Sequence, residues 1–272
     1  MSADQTKAGT LILVGCGQMG QAMLRGWLAR GAAERFAVVE PTGVPSSLTD
    51  APGVAWHRTA ITGGLDPDAV VFAVKPQVID AVVPAYRRWV GPQTLFLSIA
   101  AGTTIAGLAR HLGEAAIVRC MPNTPAAIGR AITVACPNPR VTAGQRHLCD
   151  SLLAAIGEST WVEDEALMDA VTAVSGSGPA YVFLLIEALA EAGVRVGLPA
   201  DLALVLARAT VAGAGELARL SPETPAKLRE NVTSPGGTTR AALDILMAEN
   251  GLAPLLERAV AAATARSREL AS

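Results

Sequence analysis

The 272-residue chain is short of several features that would place it in other broad classes of protein. Charge of one sign is not in excess. The formal net charge is -2 and 17% of residues are charged, with both signs interspersed, so there is neither a basic face for a nucleic-acid backbone nor a polybasic patch for a membrane. Nucleic acid is not an expected partner. Apolar runs are cut by Lys75, Arg119 or prolines before the ~20 residues that a membrane helix needs, so no span is expected. Residues 1–9 are polar and carry no secretory apolar stretch, which reads as a frayed end before the first strand and implies a cytoplasmic home. Cys16, Cys120, Cys136 and Cys149 form no CxxC pair, and three of them lie in or beside apolar runs, so buried free thiols are expected. His57, His111 and His147 are scattered without partners at ligand spacing, and no metal is expected.

What the chain does have is apolar substance: 51% of its residues are hydrophobic, enough for two compact domains. Over residues 1–164, β-branched runs at 10–15, 36–40, 54–57, 69–74, 94–99, 116–121 and 132–136 alternate with helical periodicity at 19–30, 76–88 and 142–156. A short strand at 160–162 follows. This alternation predicts an α/β domain with a doubly wound, mostly parallel sheet. Residues 165–272 lose the strand-like runs and become rich in Ala and Leu, which predicts an all-α domain. Asp201 is expected to cap a helix whose apolar residues nearly surround it, and such a helix must be buried. A second subunit is the expected cover.

Gly15-Cys16-Gly17-Gln18-Met19-Gly20 fits GxGxxG between a strand and a helix. There the glycines permit a tight turn, close approach of a pyrophosphate and helix-strand packing, in front of a helix N-terminus. Glu40 ends the second strand, about twenty residues further on, where an acid accepts from a ribose 2'-hydroxyl and repels a 2'-phosphate. NADH should then be usable, although Arg58 or a loop amide would serve the phosphate of NADPH equally well, and the preference stays open. Val74, Lys75 and Pro76 end the fourth strand; Lys75 either faces the cofactor or merely caps the strand. Ala100, Ala101 and Gly102 leave room beyond the fifth strand, and Asn123 sits between Pro122 and Pro125 in a stiff turn beyond the sixth.

Ser234-Pro235-Gly236-Gly237-Thr238-Thr239 is a glycine-rich break before a helix, which suits either an anion seat of free amides or a plain N-cap by Thr238 or Thr239. Residues 174–181 are expected to open the longest helix, with small residues that invite close packing. Positions 166–226 contain no Lys and no His, and Tyr181 is the remaining candidate donor. Ketone chemistry needs a positioned proton donor, whereas an imine takes its proton from water before hydride arrives. Imine reduction fits better than the alternatives, a 3-hydroxy-acid dehydrogenase or a nicotinamide-binding sensor.

The segments 119–125, 175–181 and 231–239 together resemble pyrroline-5-carboxylate reductases, and the likeness runs from about Thr10 to the last helix. The resemblance implies a Rossmann domain followed by a dimerisation domain, with dimers often assembling into rings of five. It implies NADPH or NADH as cofactor, reduction of 1-pyrroline-5-carboxylate to L-proline, and a substrate held at the dimer interface. Carried over residue by residue, Ser234, Gly237, Thr238 and Thr239 hold the substrate, with Ser234 and Thr239 as the catalytic candidates and the Thr239 hydroxyl near the ring nitrogen. The cofactor positions are 15–20, Glu40 and the turn after it, 74–76, 100–102 and Asn123. Glu40 departs from the small polar residue usual in that turn.

Overall fold

The computed structural model describes residues 7–49 and 51–271. The frayed end expected over 1–9 falls mainly on residues 1–6, which lie outside the described residues, while Ala8 and Gly9 already belong to the first strand. The chain divides into two compact units: one reaches to Gly176 and takes in the chain from Ala263 onward, and the other spans Ser177–Ala262.

In the first unit, β1 (Ala8–Val14), β2 (Ala33–Val39), β3 (Val54–His57), β4 (Ala69–Phe72), β5 (Leu95–Ser98), β6 (Ala116–Met121), β7 (Ala131–Pro137) and β8 (Gly157–Trp161) form one sheet in the order β3-β2-β1-β4-β5-β6-β7-β8. Every pairing is parallel except β6 with β7, whose short connection leaves no room for a crossover. Both faces of β1 are buried: Leu11 and Leu13 pack with Met23 and Trp27, and Ile12 and Val14 with Phe72 and Phe96. This is why β1 reads as a continuous apolar run rather than an alternating one.

The helices of this unit are α1 (Gln18–Arg30), α2 (Ile79–Val82), α3 (Ile105–Leu112), α4 (Ala143–Ala154) and α5 (Met168–Val171). The single helix expected at 76–88 is instead a 3-10 turn, the short α2 and a second 3-10 stretch Val83–Trp89. Pro84 explains the break, because it has no N–H to donate and its ring crowds the carbonyl four residues earlier.

Arg119 on β6 is buried, and its Nη1 donates to Glu165 Oε1 at 2.9 Å. The same oxygen accepts from the Ile105 amide at 2.8 Å, so one carboxylate ties the start of α3 to the sheet. Glu165→Ala leaves a buried guanidinium without a counter-ion and is expected to cost about 3 kcal/mol. Urea unfolding should show it, with Glu165→Gln falling between the two; a parent-like midpoint for Glu165→Ala would contradict the role.

The second half is helical, as expected, with α6 (Gly178–Arg195), α7 (Ala200–Leu220), α8 (Pro225–Asn231), α9 (Thr238–Leu246) and α10 (Leu252–Ala271). Three expectations are corrected here. Asp201 is not the cap of α7; Pro199 holds that place with no side-chain bond, and Asp201 lies in the first turn, where its charge favours the helix dipole. Residues 174–181 do not open the longest helix. They lead from a π-turn at Thr172–Gly176 into the first turn of α6, where Pro179 stands as expected, inside a helical run from Glu165 to Arg195, and α7 is longer than α6. Thr172 Oγ1 and Ser175 Oγ donate back to the Met168 and Val171 carbonyls, at 2.8 and 3.0 Å, which accompanies the loosened ladder. The run is also long and apolar enough to cross a membrane by length and composition, contrary to the expectation of no span. Pro179 does not interrupt it because a proline at a helix start lacks only an amide that would be unpaired anyway.

Within Ser177–Ala262, Ala203 and Ala207 are the only buried residues among those described, while Phe183, Leu184, Val205 and Ile245 are 57%, 63%, 62% and 76% exposed. An apolar surface of this extent marks an association face.

Candidate functional site

Beyond the carboxyl end of β1, Gly15 takes φ +91° and its Cα lies against β4: a Cβ there would lie 2.7 Å from the Ala73 carbonyl oxygen. At Gly20 a Cβ would lie 2.5 Å from the Gly15 carbonyl oxygen, so α1 packs directly on the turn. Gly17 behaves differently. It is the N-cap of α1 with ordinary extended backbone, no side chain caps the helix, and nothing lies within 4 Å of where its Cβ would be. The helix start therefore faces open space, which is the fit that a pyrophosphate requires.

That space is a cleft of about 710 Å³, walled by Gly15, Cys16, Gly17 and Gln21, by the turn 40–45, and by Ala73, Val74, Lys75, Val78 and Val82. Of the expected cofactor residues it brings together Gly15, Cys16, Gly17, Glu40, Val74 and Lys75. Gln18, Met19 and Gly20 open α1 behind it, and Pro76 starts the 3-10 turn beside it. Gln21, Thr42, Gly43, Val44, Pro45 and Val78 were missed as individual lining residues. The Pro41-Thr42-Gly43 sequence was the available signal, since Pro followed two residues later by Gly marks a tight turn. The Cys16 thiol is pushed up to about 11 by burial and by the neighbouring Glu40 charge, so it stays protonated and is no nucleophile.

Glu40 spans the cleft floor. Its Oε2 accepts from the Cys16 amide at 2.7 Å, and its Oε1 accepts from the Thr42 amide at 3.1 Å and the Thr42 hydroxyl at 2.7 Å. Burial raises its pKa, but these three bonds outweigh burial and hold it below the usual value.

Ala100, Ala101 and Gly102 form a turn after β5, closed by the Thr103 amide on the Ala100 carbonyl at 3.2 Å, and they do not line this cleft. Asn123 does not line it either. It is buried and its amide is used at both ends, donating to the Ser175 carbonyl at 3.1 Å and accepting from the Ile132 amide at 3.0 Å. It clamps the π-turn to the connection after β6, and Met121 fills the space beside Gly176, 2.5 Å from where a Cβ would stand.

Ser234, Gly237, Thr238 and Thr239 lie in the second unit. The Gly237 amide donates to the Ser234 carbonyl at 3.1 Å and so closes the turn. Gly237 is the N-cap of α9 and no side chain caps it, so neither Thr238 nor Thr239 plays that part. The amides at the start of α9 face no capping side chain, as an anion seat demands.

A family model described as "NADP oxidoreductase coenzyme F420-dependent" matches residues 10–102, and one described as "Pyrroline-5-carboxylate reductase dimerisation" matches residues 165–270. A pyrroline-5-carboxylate reductase of Pseudomonas aeruginosa is 47% identical over 207 residues, 76% of each chain. The structure of a pyrroline-5-carboxylate reductase from Coxiella burnetii superposes with a TM-score of 0.89 at 34% identity, covering 96% of this chain and 98% of that one. The Plasmodium falciparum pyrroline carboxylate reductase, solved with NADP bound, matches with a TM-score of 0.79 at 29% identity, over 99% and 100% of the two chains. A dinucleotide cleft at the carboxyl ends of a parallel sheet, followed by a helical half of this descent, has one explanation: the chain belongs to the pyrroline-5-carboxylate reductase family.

Proposed function

We propose that the protein reduces 1-pyrroline-5-carboxylate to L-proline with NADPH or NADH, the last step of proline biosynthesis, in the cytoplasm and as a homodimer that can assemble further into a ring of five dimers. We divide the chain functionally at 164/165, a reading supported by a dimerisation match that begins at residue 165. When bound, the reduced nicotinamide supplies the hydride that adds to the carbon of the C=N bond.

The chain's own part is binding and orientation. The glycine loop and the start of α1 hold the pyrophosphate, and Val74, Lys75, Pro76, Ala100, Ala101 and Gly102 shape the crevice along the strand ends. Asn123 acts from behind by fixing the π-turn. The start of α9 receives the substrate carboxylate on the Thr238 and Thr239 amides, with Ser234 and the Gly237 turn supporting them. The Thr239 hydroxyl lies at the ring nitrogen. A fixed carboxylate presents one face of the C=N carbon to hydride; that carbon becomes a CH2 of the product, so the stereocentre of proline is the one the imine already carries, and selection of the L form is made on binding. The glycine-led, uncapped start of α9 carries this reading, because its amides, behind the turn that Gly236 makes at φ +68°, are the groups that receive a carboxylate. The apolar run 165–195 is read as the dimer seam rather than a membrane span, since the dimerisation match covers it.

Chiral analysis of the product from racemic pyrroline-5-carboxylate tests the reading: L-proline alone is expected, from the L-imine, and a racemic product would contradict a seat that holds the carboxylate-bearing carbon in one configuration. Thr239→Ala should lower kcat roughly tenfold, the scale of one lost hydrogen bond, and leave the Kd of the dinucleotide unchanged. An unchanged kcat would count against Thr239.

A further inference from the structure

An acid at the end of the second strand ordinarily selects NADH by accepting from the ribose hydroxyls. Here three of the roughly four acceptor positions of the Glu40 carboxylate are already taken by the protein. Two of those bonds go to Thr42, at the apex of the turn, and the third goes to the Cys16 amide in the middle of the glycine loop. The carboxylate is thus a brace between two cleft walls.

The turn itself is closed by the Gly43 amide on the Glu40 carbonyl at 3.0 Å. Gly43 has φ +97°, and a Cβ there would lie 3.2 Å from Arg58 Nη2, so the guanidinium rests over this glycine. Arg58 is exposed, has no carboxylate partner among the described residues, and lines a recess of about 190 Å³ that shares Gly15, Pro41, Val74 and Val82 with the main cleft. A planar fork of donors in that place matches a phosphate.

We propose that Glu40 is a positioning residue, latching the glycine loop for either dinucleotide, and that Arg58 is the residue that separates NADPH from NADH. The proposal rests on the reading that the cleft takes a nicotinamide dinucleotide. It assigns Glu40 no discriminating role. Its loss weakens both cofactors alike, because what it holds is the Cys16 amide and with it the loop that receives the pyrophosphate common to both.

The test is calorimetric titration of the full-length protein with NADPH and with NADH, without any imine present. Glu40→Asp keeps the charge but is one methylene too short to brace the loop. It should weaken both dinucleotides about tenfold, the scale of one charge-assisted hydrogen bond. Glu40→Gln has one acceptor oxygen and turns an NH2 toward the donors of the other wall, so it cannot brace both and should also weaken both dinucleotides about tenfold. Arg58→Ala should weaken NADPH about tenfold and leave NADH within about twofold. Melting curves identify any variant that fails to fold, and Glu40→Asp and Arg58→Ala bear on the two halves of the proposal separately. A Glu40 variant that loosens NADH while tightening NADPH would overturn the latch, as would an Asp that retains parent affinity for both. An Arg58→Ala that affects both cofactors equally, or neither, would overturn the second assignment. A parent protein that binds dinucleotide but reduces no imine would sink the proposed function and leave this proposal standing; a parent that binds neither dinucleotide would overturn both.

Discussion

Gly17→Val is expected to fold and to bind no nicotinamide dinucleotide. The backbone at Gly17 has φ -67° and ψ -167°, a conformation open to valine, and no atom lies within 4 Å of the Cβ position. The cost to stability is the loss of a favourable N-cap residue, about 1 kcal/mol, which lowers the melting temperature by only about 2–4 °C in a protein of this size. The branched side chain projects into the opening before α1, where the pyrophosphate has to approach the amides. No saturable binding of NADPH or NADH is expected up to ~1 mM, the upper end of ordinary KM values. Gly15→Val and Gly20→Val provide the contrast. Their added atoms meet backbone oxygens 2.7 and 2.5 Å away, so they should lower the melting temperature far more as well as abolish binding. Normal dinucleotide affinity in Gly17→Val would show that the pyrophosphate does not lie at this helix start.

Leu184→Glu combined with Val205→Glu is expected to convert the protein to monomers and to remove imine reduction altogether. These side chains are 63% and 62% exposed on α6 and α7, in a unit whose described residues bury only Ala203 and Ala207. A chain that left such faces to water would aggregate, so a second copy is the cover that fits a dimerisation domain. A buried carboxylate without a partner costs several kcal/mol, and a twofold interface meets each substitution twice. If the substrate is held at the subunit interface, as the family resemblance implies, dissociation removes the site along with the dimer. Light scattering gives the mass and an absorbance assay gives the rate; a parent-like mass and rate would place the interface elsewhere.

The sheet was largely legible because its signals are local. Residues 54–57 and 116–121 are bounded by glycine, proline or charge and coincide with β3 and β6 at both ends. The glycine loop was legible for the same reason, since strand, GxGxxG and helix are contiguous. Periodicity failed at 76–88, where an apolar pattern compatible with one helix contains Pro84, and at 172–176, where side-chain hydroxyls bond back to the ladder. Asp201 looked like a cap because it precedes an apolar run, but the chain enters the helix two residues earlier, from Pro199.

The partners of the site residues were the least legible part. Asn123 stands in the stiff turn after β6, and nothing local says that both ends of its amide are spent on Ser175 and Ile132. The same holds for Glu40: its residue type and position suggest a ribose, and only the approach of Cys16, 24 residues away in sequence, reveals the brace. Sequence spacing places a side chain at a strand end. Tertiary contact decides what it has left to offer.

The helical half carries no Lys or His between 166 and 226, and imine reduction, unlike ketone reduction, needs no such donor. The most direct test follows the absorbance of NADPH and NADH on mixing with racemic pyrroline-5-carboxylate, beside a 3-keto acid as control. Oxidation of the cofactor by the imine alone, with proline as product, is the predicted result. Oxidation by the keto acid, or by neither compound in protein that binds the cofactor, would contradict the account.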